Sequence, residues 1–202
     1  PTENKASVLE APRIEVIGNT PLPGVGLPLE KMPANIQNIS GEKIAKQKNL
    51  GIADFIDQNS GSVTAGQGQN NPFQPDISFR GFAASPILGT PMGMSVYMDG
   101  VRVNEAFGDV VNWDLIPQSA ISSVQLIPGS NPVFGLNTLG GALSINTKSG
   151  LHYPGYRAQA YGGSFGRKAF EFDAGGREDK MDYFVTGNIF KERGWREHST
   201  SS

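Results

Sequence analysis

The sequence predicts an α+β fold: a small mixed-sheet domain with short helices, followed by antiparallel amphipathic strands that have no comparable core of their own. Three observations predict it. Val124 to Ile127 is a short β-branched, apolar run stopped by Pro128 and Gly129, and Ala142 to Thr147 alternates apolar and polar with the period of a half-buried strand. The 26 glycines and 14 prolines favour short strands and structured loops over long helices. From residue 150 onward, Tyr156 to Tyr161, Phe170 to Ala174 and Tyr183 to Ile189 alternate, with aromatics and Gly-rich turns between them.

Taken in order, residues 1–27 are rich in Pro, Gly and polar groups, and only Ile14 to Ile17 can pair as a strand, so they read as a flexible arm. Residues 28–149 hold enough Ile, Val, Leu and Phe for a modest core. Residues 150–202 form the amphipathic tail. Within the middle segment, Asp99-Gly100 between two apolar runs is a strong hairpin signal. Glycines 135, 140 and 141 suit a loop folded tightly back on a sheet. No internal repeat is visible.

The stretch Ile121 to Ser149, ISSVQLIPGSNPVFGLNTLGGALSINTKS, resembles the plug-domain signature of TonB-dependent outer-membrane receptors. Upstream segments carry the same resemblance in the family's order. DISFRGF (Asp76 to Phe82) resembles the plug strand ending in Arg-Gly-Phe, and SVYMDGVRV (Ser95 to Val103) the following strand, turn and strand. MPANIQNISGEKI (Met32 to Ile44) and NLGIADFIDQNSG (Asn49 to Gly61) resemble a first plug strand and two small helices. Each motif alone is only a hypothesis; four in order carry more. The chain departs from the family where Ile-Glu-x-Ile-Glu-Val-x-Arg-Gly is usual, since residues 121–129 read ISSVQLIPG and lack both acids and the arginine. In the family that arginine and the one in Arg-Gly-Phe help pair plug and barrel, so the resemblance passes plug–barrel contact to Arg80 alone.

The resemblance implies a plug followed by the start of a transmembrane antiparallel β-barrel, residues 150–202 supplying its first two or three strands. A plugged transporter barrel needs about 22 strands of roughly 9–11 residues. The tail cannot close one, and a few strands alone would leave unpaired edges in lipid. The expectation is therefore the N-terminal part of a longer outer-membrane transporter, without a cofactor. Its expected partners are the periplasmic energy-coupling protein TonB, the barrel and membrane around it, and a small-molecule cargo, most often a ferric siderophore or other metal chelate. The alternative is a soluble periplasmic plug-like binding module that never sits in a barrel.

Two sets of residues follow. Arg13, Ile14, Glu15, Val16 and Ile17 form an extended, β-prone run between Pro12 and Pro21 that could add to a partner's sheet edge, as a TonB box does in the family. A linker that happens to alternate is the plainer reading. Three loops, Val63 to Pro75, Ala83 to Gly93 and Asn104 to Trp113, correspond to those that line the cargo cavity in the family. They offer Gln67, Gln69, Asn70, Phe73, Phe107, Asn112 and Trp113, a few polar groups among aromatic surfaces, as small-molecule sites require. Trp113 as core and the glutamines as solvated side chains is the competing reading.

Other function classes find no support. A net charge of −2 gives no basic field for nucleic acid. Zero cysteines removes disulfides and thiolate chemistry, and His152 and His198 stand too far apart to suggest a zinc site. Gly162 to Gly166 fits Gly-x-Ser-x-Gly, but strands flank it where a nucleophile elbow needs a following helix. Gly129 to Gly135 lacks the Lys-Ser/Thr of a P-loop, and Gly66-Gln67-Gly68 lacks a third glycine. The sequence therefore predicts no enzyme.

Overall fold

In a computed structural model the chain is described at residues 16–18, 26–28, 35–47, 49, 51–66, 71, 73–130 and 134–193. The centre is a five-stranded sheet. Its members are β3 (Gln37–Ser40), β7 (Met94–Met98), β8 (Val101–Arg102), β9 (Ile121–Pro128) and β10 (Gly141–Thr147), in the order β3-β9-β10-β7-β8. All pairs are antiparallel except β7 with β10, which run parallel and make the sheet mixed. The expected apolar run at 124–127 and alternating strand at 142–147 thus become neighbours in an antiparallel ladder, but the second is buried on both faces from Gly141 to Ile145 and not half-buried as expected, because helices cover one face and a smaller cluster the other.

Burial on both faces explains their composition. Val96, Val124, Leu126, Leu143 and Ile145 face the main core, while Tyr97, Ile127 and Ala142 join Ile36 and Phe134 in a smaller cluster. The alternation of period two is therefore a choice between an apolar core and a second buried face where Ser95, Gln125, Thr138 and Ser144 mix with the apolar side chains. Helices α1 (Gly41–Gln47) and α2 (Ile52–Asn59) cover the main face, and α2 buries Ile52, Ala53, Phe55 and Ile56. The two isoleucines and the phenylalanine each contribute about 1.5–3 kcal/mol when fully buried. Helix α1 starts hard against β9: a Cβ on Gly41 would lie 2.2 Å from the Ile121 carbonyl oxygen.

A second sheet, β4 (Val63–Gly66), β5 (Asp76–Phe79) and β6 (Phe82–Ala84), supplies Val63, Ile77, Phe79 and Ala84 to the same core. Arg80 and Gly81, with φ of 54° and 84°, form the two-residue turn joining β5 to β6. The Arg-Gly-Phe segment is thus a hairpin tip. Asp99 and Gly100, at 48° and 82°, do the same between β7 and β8, as expected for a primed turn.

The tail forms a third antiparallel sheet, β11 (Gly155–Gly162), β12 (Lys168–Glu178) and β13 (Met181–Lys191). One face carries Tyr156, Phe170, Phe172, Tyr183, Val185 and Ile189, all exposed. The other carries Tyr161, Glu171, Asp173, Thr186 and Phe190, turned towards the α+β domain. Gly162 to Gly166 lies in the tight turn between β11 and β12, with no helix after it. In the arm, β1 (Val16–Gly18) pairs antiparallel with β2 (Gly26–Pro28); of the expected strand Ile14 to Ile17 only Val16 and Ile17 are described, and β2 runs across residue 27. No helix among the described residues is long and apolar enough to cross a membrane, which says nothing about strands.

Candidate functional site

One end of the five-stranded sheet is built by the segment after β8. Asn104 organises it: the Val96 N–H donates to its Oδ1 (2.7 Å), and its Nδ2 donates to the carbonyls of Met94 (3.1 Å) and Asp109 (3.3 Å). Asp109, at φ 57°, then accepts from Arg102 (2.8 Å) and from Asn137 (3.0 Å), tying this segment to the loop between β9 and β10. The turn between Asn104 and Asp109 holds Phe107 outward, 77% exposed. The Asn112 amide donates to the Glu105 carboxylate, leaving it partly accessible.

Trp113 lies at the other edge of this segment and is buried, its Nε1 donating to the Ala84 carbonyl (3.2 Å). Gln74 clips the loop before β5 to it: Gln74 Oε1 accepts from the Trp113 N–H (3.2 Å), and Gln74 Nε2 donates to Asp114 (2.5 Å). Beside these residues lies a cavity of about 360 Å³ between the α+β domain and the third sheet. Phe73 and Trp113 line it from the domain; Tyr161, Glu171, Asn188 and Phe190 line it from the strands. The Phe73 and Phe190 rings meet edge to face at 5.1 Å. Glu171 accepts from the Tyr161 hydroxyl (2.9 Å) and from Gln159, so its charge is held by two neutral donors at the cavity wall.

Further along the same junction Lys148 leaves the end of β10 and crosses to the strands. Its side chain is 6% exposed; Nζ donates to the Ser119 carbonyl (2.7 Å) and lies 3.8 Å from Asp173. The rings of Tyr153 and Phe184 each lie 5.6 Å from that nitrogen. Thr186 on β13 donates to Ser119 Oγ (2.7 Å) beside it. On the domain's helical side, burial and the nearby carboxylate of Asp57 raise the Asp54 carboxyl above its ordinary value, against the opposing Gly51 N–H and Arg167. Among the described residues no group of three or more His, Asp or Glu side chains is arranged to hold a metal.

The structure brings Phe73 and Trp113 to one cavity and leaves Phe107 apart on the surface. Asn112 lies between them in sequence but turns to Glu105. Gln67, Gln69 and Asn70 lie outside the described residues, as do Arg13, Ile14 and Glu15; Val16 and Ile17 are described only as backbone of β1. Arg80 is exposed, its guanidinium 5.0 Å from the Phe79 ring, and makes no ion pair among the described residues. Sequence reasoning passed over Lys148, Glu171 and Asp173. The signal was present: Glu171 and Asp173 are acids at alternate positions of a strand whose other positions are Phe170 and Phe172.

A small α+β domain docked on the polar face of an antiparallel sheet, whose far face is a band of exposed aromatics, defines a domain seated against a barrel wall. The family model of the TonB-dependent receptor plug domain matches residues 28–142, and the chain belongs to that family. Among solved structures it is similar to the ferric yersiniabactin uptake receptor FyuA from Yersinia pestis (16% identity, 79% of this chain and 24% of that chain, TM-score 0.54). It is also similar to the ferric-catecholate import receptor Fiu from E. coli K12 (21%, 82% and 22%, TM-score 0.58) and to the copper transporter OprC (15%, 78% and 23%, TM-score 0.58). The chain therefore spans about a quarter of the length of each. At these identities the likeness is one of fold: a plug domain and the start of a β-barrel. No curated protein matches the sequence.

Proposed function

We propose that this chain is the plug and first wall strands of an outer-membrane active transporter that admits a scarce nutrient, with a metal chelate as the first cargo to test. The observation that carries the reading is the two-faced sheet β11–β13. Tyr156, Phe170, Phe172, Tyr183, Val185 and Ile189 face away from the domain, and polar side chains face it, as a lipid-facing wall around a plug requires. A wide barrel leaks unless its lumen is filled, and residues 28–149 are the filling. The structures similar to it include one named as a ferric yersiniabactin uptake receptor and one named as a copper transporter, which supports metal-bearing cargo.

In this reading Arg13 to Ile17 is the segment that TonB engages by strand addition. The backbone of Val16–Gly18 already pairs with β2, so TonB either adds at the other edge of β1, unpaired among the described residues, or displaces β2. Gln67, Gln69, Asn70, Phe73, Phe107, Asn112 and Trp113 are the cargo-side candidates, with Trp113 acting through the position of its neighbours because it is buried. Arg80, exposed on its hairpin tip, is the candidate for contact with the barrel wall.

The test uses cells making the full protein that carries this segment. Expected are recovery of the protein in the outer membrane, growth dependent on it when iron or copper is scarce, and loss of TonB binding on deleting residues 13–18 with the plug still folded. A soluble protein, or TonB binding unchanged by the deletion, would overturn the respective part.

A further inference from the structure

Three cavities lie in a row along the junction between the plug and β11–β13. The first, about 360 Å³, shares Asn49, Gln118, Ser119 and Glu171 with a second of about 30 Å³. The second shares Lys148, Arg157 and Asp173 with a third of about 70 Å³, which continues past Tyr153 and Phe184. The first cavity mixes polar groups with apolar and aromatic ones, and the second is lined mainly by polar and charged groups from both sides. Asn49, which borders the first two cavities, has a buried Nδ2 with no acceptor among the described residues. A buried amide of this kind is satisfied by water when the neighbouring space is polar and holds one.

We propose that a hydrated seam runs between plug and wall, and that the Lys148–Asp173 pair is the stopper that closes it. The inference rests on the transporter reading above. Lys148 crosses the seam between the second and third cavities: its stem leaves the plug after β10, and its ammonium ends between Ser119 and Asp173. Tyr153 and Phe184 flank the ammonium from the far cavity. The stem obstructs the passage and the fixed charge opposes the entry of other cations. Shortening Lys148 to alanine removes both and joins the second cavity to the third. Asp173 still has Arg157, 3.8 Å away and largely exposed, so the variant does not strand a lone buried carboxylate.

The experiment measures steady K⁺ conductance in planar bilayers bathed in KCl, using the full-length receptor. Wild type stays at baseline. K148A raises the conductance to a level below that of a receptor deleted for residues 1–149, and K148R, which keeps length and charge, stays near wild type. K148M, with its stem but no charge, falls between K148A and wild type and serves if K148A does not insert. A S119C/T186C pair, introduced where the hydroxyls are 2.7 Å apart, forms its disulfide in the K148A background as readily as in wild type, because the plug remains on the wall. Conductance at wild-type level in both K148A and K148M overturns the stopper. Loss of the 119–186 crosslink in K148A also overturns it, since the leak then comes from a displaced plug. Baseline conductance in the plug-deleted receptor overturns the transporter reading, and the seam with it.

Discussion

The carboxylate of Asp99 accepts two hydrogen bonds from Thr147, one from its backbone N–H (2.8 Å) and one from its hydroxyl (2.7 Å). The two residues are 48 apart in sequence, so one side chain ties the β7–β8 turn to the last residue of β10, its parallel neighbour's strand. Asp99 also occupies the left-handed region, at φ 48°, which a β-carbon tolerates poorly unless the side chain is Asn or Asp. Replacing it with alanine removes both bonds and keeps the strain. D99A is expected to lose about 1–3 kcal/mol of folding stability, and D99N clearly less because the amide keeps one acceptor. Urea unfolding of the two variants against wild type decides it; equal midpoints for all three would remove the tie.

Phe82 of the Arg-Gly-Phe tip rests on two glycines. A Cβ on Gly93 would come within 2.4 Å of the Phe82 ring, and one on Gly140 within 2.8 Å. The G93A substitution is expected to cost about 1–3 kcal/mol through overpacking. In F82A the space is vacant, so adding G93A there should cost almost nothing. A double-mutant cycle in denaturant reads the difference, and additive effects would show that the ring does not sit on the glycine.

Asp54 predicts a pH dependence whose sign follows from its surroundings. Burial first, and then Asp57, raise its folded pKa above the unfolded value of 3.8. Stability from this group is therefore fully present below pH 3.8 and is lost as pH rises through the folded value. D54N is expected to be more stable than wild type at neutral pH, the gap closing as pH falls towards 3.8. Thermal midpoints measured from pH 3.5 to 7 check this; a gap that widens on acidification would reverse the assignment.

Phe107 separates binding from folding. It is 77% exposed and contributes little to the core, so F107A should change stability by less than about 0.5 kcal/mol. If the outward turn meets cargo, the same variant lowers uptake of the cargo without lowering the amount of receptor. Unchanged uptake would take Phe107 off the cargo surface.

Much of the architecture was legible because it rests on local rules. Asp99-Gly100 announces a hairpin by its turn chemistry, and the alternation of Phe170, Phe172 and Val185 with polar neighbours announces a two-faced sheet. The β1–β2 hairpin and the Arg80-Gly81 turn were not read as such. β1 and β2 are short, with seven residues between them, and Arg at a positive φ is not a residue that advertises a turn. Trp113 shows the limit for side chains: the loop position was readable, but its burial depends on Ala84 and Gln74, which lie far away in the chain.

By itself the sequence determined the class of fold, the two central strands, the Asp99-Gly100 hairpin and the two-faced character of the last three strands, since these follow from periodicity and turn residues. The tertiary structure decided the parallel pairing of β7 with β10, the shared lining of the seam and the burial of Lys148 against Asp173. Those depend on contacts between segments that no local pattern couples. A lone lysine at a strand end and an aspartate 25 residues later become one feature only when β12 folds back against the domain.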